Sequence, residues 1–296
     1  MATSSAQHGG GDEPTNRVLL KAASLPTPLT YLKPVIPTPT DHRESPCQRS
    51  SATVLDVWDE SQTVKGVRLQ VHSKEFSFKP GQWVDVTIPG VEEVTGFSMC
   101  SSPGELAQHG VLNLAIKESS YPPTLWVHSQ CKPGAELNLS VGGDFFYDSD
   151  SVVSPMALLL VAGGVGVNPL ASILLHCTDV WRLGYEQSPS VVHLLFSAKN
   201  TGELLFQRLL LSLMKEFPEK LYCQFYVTQQ DRPIPEDLKP HVTVGRIPAA
   251  TLSVLGHKAE RAFVCGPPDM IDYTASVLHA SGLPPAFIAF EKWFLH

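Results

Sequence analysis

The chain has 296 residues, 43% of them hydrophobic and 17% charged, with 21 Gly, 25 Pro and a formal net charge of −7. That length suits about two ordinary domains, and the composition excludes collagen-like, heptad-built and broadly disordered chains. An acidic balance with no Lys/Arg cluster argues against a nucleic-acid partner, because neutralising phosphates needs a basic surface.

Seven prolines fall within the first 50 residues, Pro26, Pro28, Pro34, Pro37 and Pro39 among them, amid Ser, Thr and Gly. Each proline fixes φ and removes a backbone donor, so residues 1–50 read as a Pro-rich disordered leader. Its acidic pair Asp12-Glu13 departs from a mitochondrial presequence, and it lacks the apolar h-region of a secretory signal.

From Thr53 to about Tyr147 the hydrophobic residues alternate. Val67-Leu69-Val71, Val84-Val86-Ile88, Leu112-Leu114-Ile116 and Leu137-Leu139-Val141 are runs of half-buried antiparallel strand, and Thr53–Trp58 and the Phe97 segment add two more. Six short strands in this span predict an antiparallel six-stranded β-barrel over residues 51–150.

After Ser154 the pattern changes to continuous apolar runs, Met156–Ala162, Val191–Phe196, Tyr222–Val227 and Ala262–Val264, alternating with helical segments. Such runs indicate a parallel sheet buried on both faces, hence an α/β Rossmann-like domain over residues 151–296. Asn200–Phe217 is predicted as one helix, with Asn200 and Glu203 as a capping box. Met156–Leu175 is apolar but contains Asn168, Pro169, Ser172 and three glycines, which favours strand-turn-helix over a membrane span.

The six cysteines, Cys47, Cys100, Cys131, Cys177, Cys223 and Cys265, lie far apart with no CxxC pair. That excludes zinc ribbons and plant-type iron-sulfur loops, and no metal site is expected. Most read as buried small apolar residues of a reducing compartment.

The turn Gly163-Gly164-Val165-Gly166-Val167-Asn168-Pro169 joins the first buried strand to the next helix. Its glycines allow close backbone approach to a ligand, and the helix N-terminus favours an anion. Asn168 is predicted as the N-cap and Pro169 as the first helical residue. The strict dinucleotide fingerprint is not met, since Pro169 stands where the third glycine belongs. After the second strand comes Ser197-Ala198-Lys199 rather than an acidic residue, which leaves NAD and NADP both open. A second strand-turn-helix follows at Cys265-Gly266-Pro267-Pro268-Asp269-Met270.

A barrel first, Gly-Gly-Val-Gly-Val-Asn-Pro next, Cys-Gly-Pro-Pro-Asp-Met later and an aromatic end, Phe290-Glu291-Lys292-Trp293-Phe294, resemble the ferredoxin-NADP reductase superfamily of flavoproteins over residues 53–296. The resemblance implies FAD in the barrel, NAD or NADP on the α/β domain, and rings that meet between the two. It aligns the family's Arg-x-Tyr-Ser/Thr flavin motif with Thr95-Gly96-Phe97-Ser98, so Phe97 lies against the flavin ring and Ser98 hydrogen-bonds its reactive edge. Thr95 replaces the arginine that pairs with the flavin phosphates, which weakens FAD binding or favours FMN. Thr124, at the start of a helix opening Pro122-Pro123, and Lys117 are the expected phosphate partners. By the same resemblance Gly163 to Pro169, Gly266, Pro267 and Met270 hold the dinucleotide, with Ser197 and Lys199 near its ribose. The sulfur of Cys265 then approaches the nicotinamide, Glu291 lies near the flavin, and Trp293 or Phe294 covers the ring or the domain interface.

Each of these positions also has a plainer reading. Phe97 and Trp83 suit a barrel core, Thr124 an N-cap, Cys265 a buried apolar site, and Glu291 with Trp293 the end of a last strand. The function implied is an NAD(P)H-dependent flavin oxidoreductase, with Ser98, Cys265 and Glu291 as catalytic candidates and a separate, unidentified electron acceptor. The alternative is an NAD(P)-binding regulatory module that has lost flavin and catalysis, motivated by Thr95. The protein is expected to be a monomer without a membrane span, mitochondrial by resemblance or else cytoplasmic.

Overall fold

The computed structural model describes residues 48–148, 156–184 and 189–292, all within one compact unit that spans Glu44–His296. Residues 1–47 of the leader predicted over 1–50, Cys47 among them, the predicted domain boundary at 149–154 and Trp293 lie outside the described residues. The first strand already begins at Arg49.

Six strands form the first sheet: β1 (Arg49–Asp59), β2 (Val64–Val71), β3 (Trp83–Thr87), β4 (Thr95–Ser98), β5 (Val111–Lys117) and β6 (Glu136–Gly142). Their order is β4-β3-β6-β1-β2-β5, all antiparallel, and a bridge from Met99 to Leu114 joins the two ends into the expected barrel. Alternation supplies the interior, with Val67, Leu69, Val84, Val86, Leu112, Leu114, Leu137 and Leu139 buried. A bulge between Val54 and Asp56 leaves Leu55 exposed and shifts the pairing of the rest of β1 against β2 by one residue. Trp58 and Trp83 are partnered across the ladder by Gly66 and Gly142. A Cβ on Gly66 would fall 2.1 Å from the Trp58 ring, so these glycines give the indoles their seats.

Between β4 and β5 a short helix, α1 (Pro103–His109), is capped by Ser102, whose oxygen accepts from Glu105 N–H. A second, α2 (Pro122–Ser129), connects β5 to β6.

The second half is a parallel sheet of β7 (Ala157–Gly163), β8 (Val191–Ala198), β9 (Leu221–Val227), β10 (Val242–Val244), β11 (Arg261–Gly266) and β12 (Ile288–Lys292), ordered β10-β9-β8-β7-β11-β12. It is flanked by α3 (Val167–Leu183), α4 (Gln207–Glu216), α5 (Ala249–Lys258) and α6 (Pro268–Ala280). Among the described residues no helix is long and apolar enough to cross a membrane.

Two predicted helix starts are corrected. A 3-10 turn over Gly164–Gly166 winds the chain early, so Gly166 is the N-cap of α3, and Asn168 and Pro169 are its second and third residues. The missing N–H of Pro169 still falls in the first turn, where no intrahelical acceptor exists. The single helix expected from Asn200 is a 3-10 turn (Thr201–Glu203) followed by α4. Asn200 accepts from Gly202 N–H, while Glu203 reaches instead to Ser61 and Thr63 of the barrel. Phe206 takes a left-handed φ of 59° at the start of α4 and donates its N–H to Glu60 Oε1 at 2.8 Å. That bond helps hold a conformation costly for a bulky residue.

Candidate active site between barrel and sheet

The α/β sheet reverses its winding between β7 and β11, and an open α/β sheet binds ligands outside the carboxyl ends of its strands at such a point. Both Gly-rich turns stand there. In register, Gly163 lies beside Ser197, and Cys265 lies between Ala162 and Glu291. The glycines divide into two roles. A Cβ on Gly166 would lie 2.3 Å from the Cys265 carbonyl, one on Gly163 2.7 Å from Pro267, and one on Gly266 2.7 Å from the Met270 methyl. These three let the two turns pack on each other. Gly164, at φ 54°, has nothing within 4 Å of its would-be Cβ and faces open space, as a phosphate approach requires.

Helix α3 faces the barrel as well as its own sheet, which is why nearly every residue of its first three turns is buried. Asn168 Nδ2 donates to the Ala115 carbonyl at 2.6 Å, Ser172 Oγ to the Ser101 carbonyl at 2.8 Å, and Ser102 Oγ to Asp179 Oδ2 at 2.5 Å. A carbonyl only accepts, so the Asn168 amide nitrogen must face Ala115, and its Oδ1 is left buried with no hydrogen-bond partner. Below this seam Phe145 meets Phe263 edge to face at 5.5 Å.

Where α3 begins, a cleft of about 330 Å³ opens between the domains. Thr95, Phe97 and Ser98 of β4, Ala115 and Lys117 of β5, Glu118, Ser119, Tyr121 and Thr124 around the start of α2, and Val165 and Asn168 of the glycine turn line it. Predicted residues 97, 98, 117, 124, 165 and 168 are thus brought together from four separate segments. Ser98 is buried at the base, Phe97 half-buried, and Lys117 exposed at the rim. Motif reading missed Ala115, Ser119 and Tyr121. Ala115 acts through its carbonyl, which no side-chain pattern reveals; Ser119 gave a weak sign, as a turn former before a proline pair.

The other predicted residues stand around the cleft without lining it. Ser197 is the next-to-last residue of β8 and the exposed Lys199 follows that strand, while Pro267 is exposed beside the half-buried Met270. Cys265 is 0% exposed and packs in the core with Val167, Ala162 and Phe263, so its plainer reading describes this conformation. Glu291 is half-buried, with Oε2 shielded from solvent, and Ala289 of the same strand packs against that core. Burial pushes the thiols of Cys100 and Cys177 up, Cys223 up to about 12 and Cys131 up to about 11. These four are thiols, not nucleophilic thiolates, at neutral pH.

For a flavin the donor set fits at one end only. Phe97 offers a flat face, Ser98 a hydroxyl and Asn168 an unused acceptor. At the other end Lys117 is the one cation lining the cleft among the described residues, with Glu118 beside it.

A barrel closed on itself, a parallel sheet beyond it and a cleft at their junction define a ferredoxin-NADP reductase-like fold. Residues 160–276 match the oxidoreductase NAD-binding domain family. The fold is shared with an Amycolatopsis cytochrome P450 reductase (TM-score 0.67, 21% identity, 82% of this chain and 69% of that one). It is shared too with a Neisseria gonorrhoeae ferredoxin NADP+ reductase holding FAD and NADP (TM-score 0.66, 17% identity, 84% and 99%). In sequence the chain is 45% identical over 267 residues to oxidoreductase NAD-binding domain-containing protein 1 of Xenopus tropicalis, covering 86% of this chain and 84% of the relative. The chain belongs to that family, the oxidoreductase NAD-binding domain-containing protein 1 family.

Proposed function

We propose that the protein is an NAD(P)H-dependent flavin oxidoreductase that passes electrons to a separate acceptor molecule. The observation that carries this reading is the single cleft into which the barrel supplies Phe97 and Ser98 and the nucleotide-binding half supplies Val165 and Asn168. The nicotinamide supplies a hydride and the flavin accepts it and hands the electrons on, chemistry that belongs to the cofactors.

The chain's contribution is orientation. Gly164 and the turn that leads into α3 would take the dinucleotide phosphates, with Ser197 and Lys199 beside its ribose. Phe97 provides a face for the flavin ring and Ser98 a hydrogen-bond donor at its edge. The Asn168–Ala115 bond sets the distance between the two halves, and holding two rings in contact supplies much of what hydride transfer needs. No strong acid or base is required, in keeping with a cleft whose titratable lining among the described residues is Lys117, Glu118 and Tyr121. Cys265 and Glu291 are assigned the tuning of that contact, Cys265 only once the turn above it shifts.

The test is to add flavin to the purified protein under anaerobic conditions and titrate with NADH and NADPH. Protein-dependent bleaching of the oxidised flavin supports the reading and ranks the two nucleotides. A protein that binds nucleotide but neither binds nor reduces any flavin would instead be a nucleotide-binding regulatory module. We place the protein in mitochondria, and imaging a fusion with and without residues 1–50 tests that placement.

A further inference from the structure

We infer that the cleft recognises its flavin through the ring and gives the phosphate end almost no hold, so that riboflavin, FMN and FAD bind with similar affinity and exchange with solvent. This rests on the flavin reading of the cleft and concerns how that ligand is retained.

Three features of the phosphate end agree. Thr95, half-buried on β4 at the cleft wall, is neutral and offers at most one hydroxyl hydrogen. Helix α2 opens on Pro122 and Pro123, which have no N–H, so of its first three residues only Thr124 retains a backbone donor. The anion affinity of a helix start comes largely from those free N–H groups. Leu125 N–H is already bonded to the Tyr121 carbonyl at 2.9 Å. The Thr124 hydroxyl points to the Tyr121 carbonyl at 2.8 Å and meets Ser119 Oγ at 2.6 Å, so its single hydrogen serves the loop rather than a ligand. Finally, Lys117 is followed directly by Glu118, and both line the cleft. A phosphate dianion there meets one cation and one carboxylate, which nearly offset each other in an exposed setting.

The ring end is built differently. Ser98 is buried, Phe97 packs against the barrel core, and the orphaned Oδ1 of Asn168 is an acceptor suited to a ring N–H or amide hydrogen. An unpaired buried acceptor strongly favours a ligand that satisfies it.

The experiment is calorimetric titration of the full chain with riboflavin, FMN and FAD at low and at physiological salt. The three dissociation constants are expected to lie within roughly fivefold of one another and to change little with salt, because a phosphate contact would add charge-assisted bonds. T95R is expected to tighten FMN and FAD by about tenfold or more and to leave riboflavin unchanged. K117Q, at an exposed strand end that tolerates substitution, should weaken FAD by less than about threefold. FAD that binds about a hundredfold tighter than riboflavin, or that survives dialysis of the purified protein, overturns this inference and leaves the oxidoreductase reading standing. Binding of none of the three overturns both.

Discussion

Asn168 of α3 donates its Nδ2 hydrogen to the carbonyl of Ala115 in β5, 2.6 Å away and 53 residues earlier in the chain. One amide thereby joins the glycine turn to the barrel at the cleft wall and leaves its own oxygen buried without a partner. N168A removes the joint and strands a carbonyl, which should lower stability by about 1–3 kcal/mol and slow flavin reduction together. N168D should be worse, since a carboxylate would face that carbonyl oxygen at the same distance. Thermal unfolding and single-turnover reduction of the two variants measure both effects.

The two glycine roles predict opposite phenotypes. G166A drives a methyl into the Cys265 backbone carbonyl, where neither group can yield, and should cost more than about 3 kcal/mol or prevent folding. G164A meets no atom and costs only the left-handed strain, about 1–2 kcal/mol. Its main effect should be weaker NAD(P)H binding. Melting temperature and nucleotide titration separate the two.

Glu203 links the domains by accepting from Ser61 Oγ at 3.0 Å and Thr63 Oγ1 at 2.7 Å. Hydrogen bonds to a charged group are worth about 1.5–3 kcal/mol when partly buried, and E203A should lose an amount of that order. T63V alone should lose less, and the double variant should be clearly non-additive. A double-mutant cycle by chemical denaturation checks the coupling, and additive losses would show that the contact does not join the domains energetically.

His193 on β8 stacks on Tyr222 with ring centres 5.0 Å apart. Burial and then the nearby Lys258 charge lower its pKa below the ordinary 6.5. The folded state therefore binds this proton less readily than the unfolded chain. Its contribution is constant above 6.5, and stability falls as pH drops from there toward the lowered folded value. H193F keeps the stack and removes the titration, so its melting temperature should decline less than the parent's between about pH 6.5 and 5.

Much of this architecture was legible because burial leaves a period. Val67-Leu69-Val71 and Leu112-Leu114-Ile116 alternate because one side faces the barrel interior, and Ala157–Gly163 is continuously apolar because both sheet faces are covered. Where burial is slight the signal vanishes. Helix α1 buries only Leu106, and β10 is a three-residue edge strand with no buried residue. The helix starts were misread because Asn168 and Glu203, good capping residues by type, bond across the domain seam instead. The cleft was half legible: the glycine turn and Phe97-Ser98 stand out as motifs, whereas the Ala115 carbonyl and the self-satisfied Thr124 hydroxyl depend on neighbours brought together only by folding.

The most direct test of the central claim is anaerobic flavin reduction followed by absorbance, with protein, flavin and NADH or NADPH together and the same mixture lacking protein. The account predicts rapid bleaching only when protein is present, slowed in the Asn168 variants. Bleaching no faster with protein than without it, for both nucleotides and for riboflavin, FMN and FAD alike, would contradict it.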